Sequence, residues 1–401
     1  MKKLLLLTWY ENNNYGTSLQ ASSLSSIICN PQITGLISKS TEKFECDILR
    51  HHPERQEQKS KIGKIVKVFQ PKNYLMKYSQ IKDFCIKRAK QKSFEIRSLA
   101  FEEFTNRNLT FSSSVNAQTE VELRRVSEKY DIIMSGSDQV WNPEALDPTY
   151  LLQWVPVGKK KVSYGSSLSV TKIPEKYYDI YRKSLSSFDA ISIRDVQCRE
   201  QLSQIIKRDV YTVVDPVVLL GRSALLQRQK NIELGNKPYI FCYFLGNNPP
   251  HREFAEKLKK ETGCKIVALT HLDEFVKSDE GYADETPYNI DPADFLNLIR
   301  NAEYVCTDSF HCSVFSILYK KEFYTFRRYN RNTRQSTNSR LDTLFKITGI
   351  EGRLLAGDEK IVDCLNIKTD FDEAHKKLAG VRQQSYEYLK VALQDEGSTD
   401  L

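Results

Sequence analysis

The 401-residue chain is poor in several things that would have set its class at once. It has three methionines, three tryptophans and six histidines. Its 16 glycines and 13 prolines are too few for a collagenous or low-complexity chain. No apolar run approaches the roughly 18 residues needed to cross a bilayer, so no segment reads as a membrane-spanning helix. There is no CxxC pair, and the nine cysteines are scattered and odd in number. That argues for thiols in a reducing cytoplasm rather than a disulfide framework. Walker, GxGxxG and GxSxG patterns are missing, which disfavours P-loop, dinucleotide and serine-hydrolase chemistry. No two histidines have metal-ligand spacing near a cysteine or carboxylate cluster, and no metal site is expected.

Hydrophobic residues make up 40% of the chain and aromatics 11%, a globular composition. Its length exceeds what one core usually serves, so two domains are expected. The opening MKKLLLLTWY reads as a first buried strand rather than an export signal, because no small-residue cleavage site follows. Net charge is +8, and it is local. Between His51 and Arg107 there are 14 Lys/Arg against 6 Asp/Glu, and the remainder of the chain sums to zero. Within that stretch Ile62, Ile65, Phe69, Ile81, Phe84, Cys85 and Phe94 recur at helical intervals around Pro71. The pattern predicts a basic insert of two amphipathic helices at about 55–107. Such an insert is either a solvated hairpin or a peripheral contact with anionic lipid headgroups at the inner face of the membrane. Nucleic acid is not expected, since no helix-turn-helix, zinc or RNA-binding signature accompanies the charge.

Short apolar runs at 3–8, 130–135, 161–166, 190–194 and 211–214, then at 239–245, 265–270, 303–307 and 322–326, alternate with helix-period segments. Runs of that kind predict parallel sheets in α/β layers. The polar stretch 220–238 reads as a linker between two doubly wound, Rossmann-like domains, 1–222 and 237–401, facing a cleft. The second domain is expected to close with a C-terminal helix.

Four polar stretches follow strands, where α/β folds bind ligands. In the first, Asn12-Asn13-Asn14-Tyr15-Gly16-Thr17 leads into a helix whose N–H groups suit an anion, or it is a plain Asn-rich turn. In the second, Ser135–Asn142 (SGSDQVWN), Asp138 and Asn142 offer hydrogen bonds to sugar hydroxyls and Trp141 an apolar wall, unless Asp138 only caps a helix. In the third, Arg194 ends the run ISIR and is either an anion clamp or half of a structural salt bridge. In the fourth, CTDSFHCSVF puts His311 in the first turn of an apolar helix, beside free N–H donors and able to exchange protons near neutral pH. The plainer alternative there is a core histidine.

Taken together and in this order, NNNYGTSLQA, SGSDQVWN, KVSYGSSL, ISIRD with VVDPVVLL, DPADFLNLIRNAEYVCTDSFHCSVFSI and NSRLDTLF resemble the polysaccharide pyruvyltransferase family over nearly the whole chain. The resemblance implies a GT-B-like fold, with the N-terminal domain on the acceptor side and the C-terminal domain on the donor side. It implies transfer of the enolpyruvyl group of phosphoenolpyruvate to two hydroxyls of a hexose, often galactose, in a capsule, exopolysaccharide or cell-wall precursor. Phosphoenolpyruvate is then a co-substrate, no other cofactor is needed, and the acceptor is a glycan that is often lipid-linked. His311 becomes the general acid/base. Arg194, Ser309, Phe310, Arg340 and Arg327 fall on the donor side, and Asn13, Tyr15, Gly16, Asp138, Trp141, Asn142 and Ser166 on the acceptor side. One departure stands out: members often carry Arg-Leu-His where this chain has Ser309-Phe310-His311. Arg340, Arg327 or Arg328 would have to restore the missing charge. Two other readings of the scaffold are a nucleotide-sugar glycosyltransferase and a non-catalytic glycan-binding or assembly protein.

Overall fold

A computed structural model describes residues 1–11, 13–38, 43–51, 74–112, 116–228, 230, 232, 234–235, 237–328 and 338–394. In the N-terminal half the strands are β1 (Lys2–Leu7), β2 (Phe44–Ile48), β3 (Ile132–Ser135), β4 (Lys160–Ser163), β5 (Ser192–Ile193) and β6 (Tyr211–Thr212). The C-terminal half has β7 (Tyr239–Tyr243), β8 (Lys265–Ala268), β9 (Tyr304–Thr307), β10 (Glu322–Phe326) and β11 (Leu354–Leu355).

All pairings between these strands are parallel. The first sheet has the order β2-β1-β3-β4, with Leu4 opposite both Cys46 and Ile132. Single bridges at Val162↔Ala190 and Ser166↔Ile193 carry it on toward the β5-β6 pair. The second sheet has the order β11-β10-β9-β7-β8. Leu4 to Leu7 of β1 and all of β3 and β7 are buried, as strands covered by helices on both faces must be. Beyond the carboxyl end of β1 begins the first helix, α1 (Tyr15–Cys29), and its start meets the carboxyl end of β9, bringing Gly16 against His311. Two Rossmann-like sheets facing each other in this way make the fold GT-B-like.

The halves share apolar packing. One cluster runs from Leu4 and Tyr15 through Leu219 to Phe241, Phe295 and Phe345. Two others lie one in each half, around Trp141 and around Phe254.

Several local expectations need revision. Strand β2 escaped notice because FECDI alternates buried and more exposed positions, as an edge strand does, and lacks an apolar run. The 220–238 stretch is not a bare linker: Arg222–Arg228 is a helix with Ala224 and Leu225 buried, and Arg228 donates to the Ser22 and Ser26 hydroxyls at 3.0 and 2.6 Å. The C-terminal helix Phe371–Leu393 packs on both sheets' neighbours rather than on one. Tyr388 donates to the Ser163 carbonyl of β4 (2.8 Å), while His375 Nε2 meets the Ile317 carbonyl (2.8 Å).

In the basic insert, residues 52–73, with Ile62, Ile65, Phe69 and Pro71, lie outside the described residues, as do the side chains of Ile81, Phe84 and Cys85. From Tyr74 the chain runs as one helix, α2 (Tyr74–Asn108). Its last turns are part of the core, through Phe101 and Phe104. Arg97 ties it to the other half by donating to the carbonyls of Tyr288, Thr270 and Pro287 at 3.3, 3.0 and 3.1 Å. Lysine spacing signals a solvated face, but it carries no sign that a buried arginine stands among the lysines.

Candidate functional site

The site begins with the helix Phe310–Leu318. Ser309 is its N-cap and accepts from the Cys312 N–H (3.4 Å), which leaves Phe310 and His311 in the first turn. Upstream, Asp308 fastens β9 to the loop after β7 by accepting from the N–H groups of Leu245 and Gly246, at 2.7 and 2.9 Å. His311 is therefore held on a rigid strand-to-helix junction, where the helix dipole favours a bound anion.

From the N-terminal half, Arg194 and Asp215 reach the same place. Arg194 Nη1 pairs with Asp215 Oδ2, and His311 Nε2 stands 3.3 Å from that oxygen. Burial alone would raise the Asp215 carboxyl; Arg194 first, then His311, override it and hold it well below the usual carboxylate range. Asp215 is therefore an anion that orients both cation and imidazole. Asp138, in the left-handed region (φ +75°), turns its carboxylate back on its own loop. It accepts from Gln139 N–H (2.9 Å) and from the Thr17 hydroxyl (2.8 Å), and faces Arg194 Nη2 at 3.6 Å.

Arg194 keeps Nε and Nη2 without a hydrogen-bond partner although it is 7% exposed, and the buried Nε of Arg340 is likewise unpartnered. The two guanidinium carbons lie 5.9 and 5.5 Å from the centre of the Phe310 ring. Burial, then the repulsion of Arg194, brings the Arg340 guanidinium down to about 10. Two adjacent cations with buried, unsatisfied donors form a site that an anion would stabilise. They line one cleft together with Asp215, Phe310, Val213, Leu344 and Val381.

The remaining expected residues divide. Gly16 touches His311: a Cβ built on it would lie 2.1 Å from Nδ1. Asn13 donates to the Ser98 hydroxyl of α2 (2.7 Å), and Tyr15 stacks on Phe295 (4.5 Å) with its hydroxyl given to the Ile290 carbonyl. Trp141 is no sugar wall. It is fully buried, and its indole N–H donates to the Tyr150 carbonyl (3.0 Å). Asn142 caps the turn Pro143–Ala145, and Ser166 is fully buried with its hydroxyl given to the Gly136 carbonyl (2.9 Å). Arg327 pairs with Asp342 (2.7 Å), whereas Arg328 donates to the Asp308 carbonyl (3.1 Å). Arg340, not Arg327, is thus the cation that joins Arg194. Asp215 was not expected. A lone carboxylate inside the apolar run VVDPVVLL was the available signal, because such a group needs a buried partner.

The sequence profile of the polysaccharide pyruvyl transferase family matches residues 42–329. The chain belongs to this family. That makes it a transferase of polysaccharide chemistry and places the Arg194–Asp215–His311 cluster within the matched region. No curated protein matches the chain. Among solved structures it is similar to the UDP-GlcNAc 2-epimerase of Methanocaldococcus jannaschii, at 14% identity over 96% of this chain and 100% of that one, with a TM-score of 0.49. It is also similar to the UDP-GlcNAc 2-epimerase of Neisseria meningitidis bound to UDP-GlcNAc, at 10% identity over 98% and 100%, with a TM-score of 0.45. Among the described residues no helix is long and apolar enough to cross a membrane, and no three His, Cys, Asp or Glu side chains gather as metal ligands.

Proposed function

We propose that this chain is a ketal-forming pyruvyltransferase, taking the enolpyruvyl group from phosphoenolpyruvate and placing it on two hydroxyls of a hexose in a surface-glycan precursor. The observation that carries the reading is the pair of guanidiniums with unsatisfied buried donors, Arg194 and Arg340, beside an Asp215-oriented His311. A small dianionic or trianionic donor meets what both arginines lack. Arg340 in this reading supplies the charge that Ser309 does not.

The chemistry removes two hydroxyl protons and places two, one on C3 of the donor and one on the departing phosphate. One sugar hydroxyl adds to C2 of the donor while C3 takes a proton and the double bond is lost. The C2–O bond to phosphate then breaks, phosphate leaving with the electron pair, and the second hydroxyl closes the ketal as its proton departs. His311 moves these protons, which at a positioned side chain contributes about 10²- to 10⁴-fold. Asp215 orients the imidazole. Arg194 and Arg340 stabilise charge on the departing phosphate.

Purified protein mixed with phosphoenolpyruvate and a panel of galactosides should release phosphate only when both are present. His311→Ala should lose at least about 10²-fold in turnover while still binding donor. Phosphate release without acceptor, or none with any hexoside tried, refutes the assignment. Turnover that survives His311→Ala removes the histidine from it.

A further inference from the structure

A second cavity, distinct from the cleft of Arg194 and Arg340, has a volume of about 580 Å³ and lies between the loop after β1, α2 and the loop after β8. Asn13, Asn14, Phe94, His271, Asp273 and Glu274 form much of its wall. His271 is built into it. Its backbone N–H and its Nδ1 both meet Asp279 Oδ2, at 3.0 and 2.7 Å. Asp279 is buried, and its other oxygen accepts from Arg252 Nε and Nη2 at 3.1 and 2.7 Å. A carboxylate on Nδ1 fixes the tautomer, so that in the neutral ring Nε2 is an acceptor. Nε2 faces the Glu274 carboxylate, 3.9 Å away.

Charge decides what fits. Among the described lining residues the one guanidinium is Arg97, and its donors are committed to three backbone carbonyls. A diphosphate or phosphoenolpyruvate entering here would face Asp273 and Glu274 with no such cation to offset them. A neutral polyol would instead find carboxylate acceptors, side-chain amides, an oriented imidazole and the Phe94 ring. The cavity also adjoins the reacting histidine: Tyr15 lines it, and the next residue, Gly16, packs on His311. His311 is thus one residue removed from this acidic cavity, through Gly16, while its Asp215 partner lines the cleft of Arg194 and Arg340.

Resting on the pyruvyl-transfer reading, we infer that this cavity is the acceptor site. It holds the hexose end of an uncharged glycan, with a sugar hydroxyl hydrogen-bonded to His271 Nε2 and a sugar face on Phe94. Donor and acceptor then lie on opposite sides of His311, and α2 of the basic insert contributes to acceptor choice.

The test is saccharide binding without donor. Wild type, His271→Gln and Phe94→Ala are titrated with galactose-, glucose- and mannose-terminated oligosaccharides, and separately with UDP and with phosphoenolpyruvate. The expected result is that one or more oligosaccharides bind wild type and bind each variant about tenfold more weakly, as for loss of one hydrogen bond or one ring contact. Phosphoenolpyruvate binding should be unchanged. Asp273→Ala, at an exposed loop position, gives a third variant whose folding is not at risk. No oligosaccharide bound by wild type, or equal binding by all the proteins, overturns the inference. UDP binding that His271→Gln weakens overturns it in favour of a nucleotide pocket. Acceptor-dependent phosphate release whose acceptor KM ignores these substitutions sinks the inference and leaves the pyruvyl reading standing. Glycan binding with no phosphoenolpyruvate binding does the reverse.

Discussion

Gly16 sets how closely the two halves approach, and replacing it with alanine puts two physical effects in opposition. Gly16 lies in the first turn of α1 and is not among the glycines with positive φ, so its backbone does not demand glycine. Helix propensity alone would favour alanine by up to about 1 kcal/mol. Against this, the added methyl would stand 2.1 Å from His311 Nδ1, 2.3 Å from Cγ and 2.7 Å from Cβ. Carbon atoms rest at about 3.5–4.0 Å, so the helix or the histidine must retreat by about 1 Å or more. Turning the imidazole does not suffice, because His311 Cβ is one of the clashing atoms. Overpacking of this kind costs about 1–3 kcal/mol, which outweighs the propensity gain. Gly16→Ala should therefore be up to about 2 kcal/mol less stable, as the difference of those two terms. Turnover should fall further. His311 Nε2 is 3.3 Å from Asp215, and a displacement near 1 Å costs about 10²-fold. Urea unfolding reads the first effect and acceptor-dependent phosphate release the second. A Gly16→Ala protein as stable as wild type, with kcat within about twofold of it, would show that this contact does not set the working position of His311.

Three further outcomes are expected. Arg340→Ala should lower kcat/KM for phosphoenolpyruvate about 10- to 150-fold, as for one lost charge-assisted hydrogen bond, with part of the loss in kcat because the guanidinium meets the departing phosphate, and Arg340→Lys should recover part of it; an unmoved kcat/KM excludes Arg340 from the donor site. Trp141→Ala should lose about 3–5 kcal/mol in urea unfolding because the indole fills a core, whereas Trp141→Phe should leave oligosaccharide affinity as it is; weakened affinity there would return Trp141 to the acceptor site. His251, 3% exposed and stacked on Phe326 at 4.7 Å, has its imidazole pushed down to about 4 by burial. The unfolded chain takes up that proton near 6.5, so the folded state loses stability as pH falls from about 6.5 to 4, by up to about 3 kcal/mol. His251→Phe should flatten that part of the stability–pH curve, and an unchanged slope would refute the assignment.

What could be read in the sequence was what depends on runs of neighbouring residues. LLLL, YIFCY and EFYTF announce buried strands because a strand covered on both faces has no place for polar side chains. His311 and Arg194 stood out for the same reason, as polar residues at the ends of such runs. What escaped depends on pairs far apart in the chain. Asp215 matters because Arg194 and His311 converge on one of its oxygens, and nothing in VVDPVVLL names those partners. His271 looked ordinary until Asp279 closed on its Nδ1. Gly16 needs to be glycine because of a helix residue in the other half of the chain, His311, a requirement with no local trace.

The basic insert carries this contrast furthest. Its excess of lysine was legible and suggested an outward face, yet the described part of α2 is fixed inward by Arg97 and lines the acidic cavity through Phe94. Charge counting averages over a helix, whereas function depends on which few positions turn toward the other half. If α2 is a wall of the acceptor site, breaking its attachment should act on acceptor use before donor use. Arg97→Ala removes three hydrogen bonds, each worth about 0.5–1.5 kcal/mol net, and more where a buried carbonyl is left without a partner. The expected result is a raised acceptor KM with phosphoenolpyruvate KM held. Equal loss of both would mean that α2 supports the whole fold rather than one side of His311.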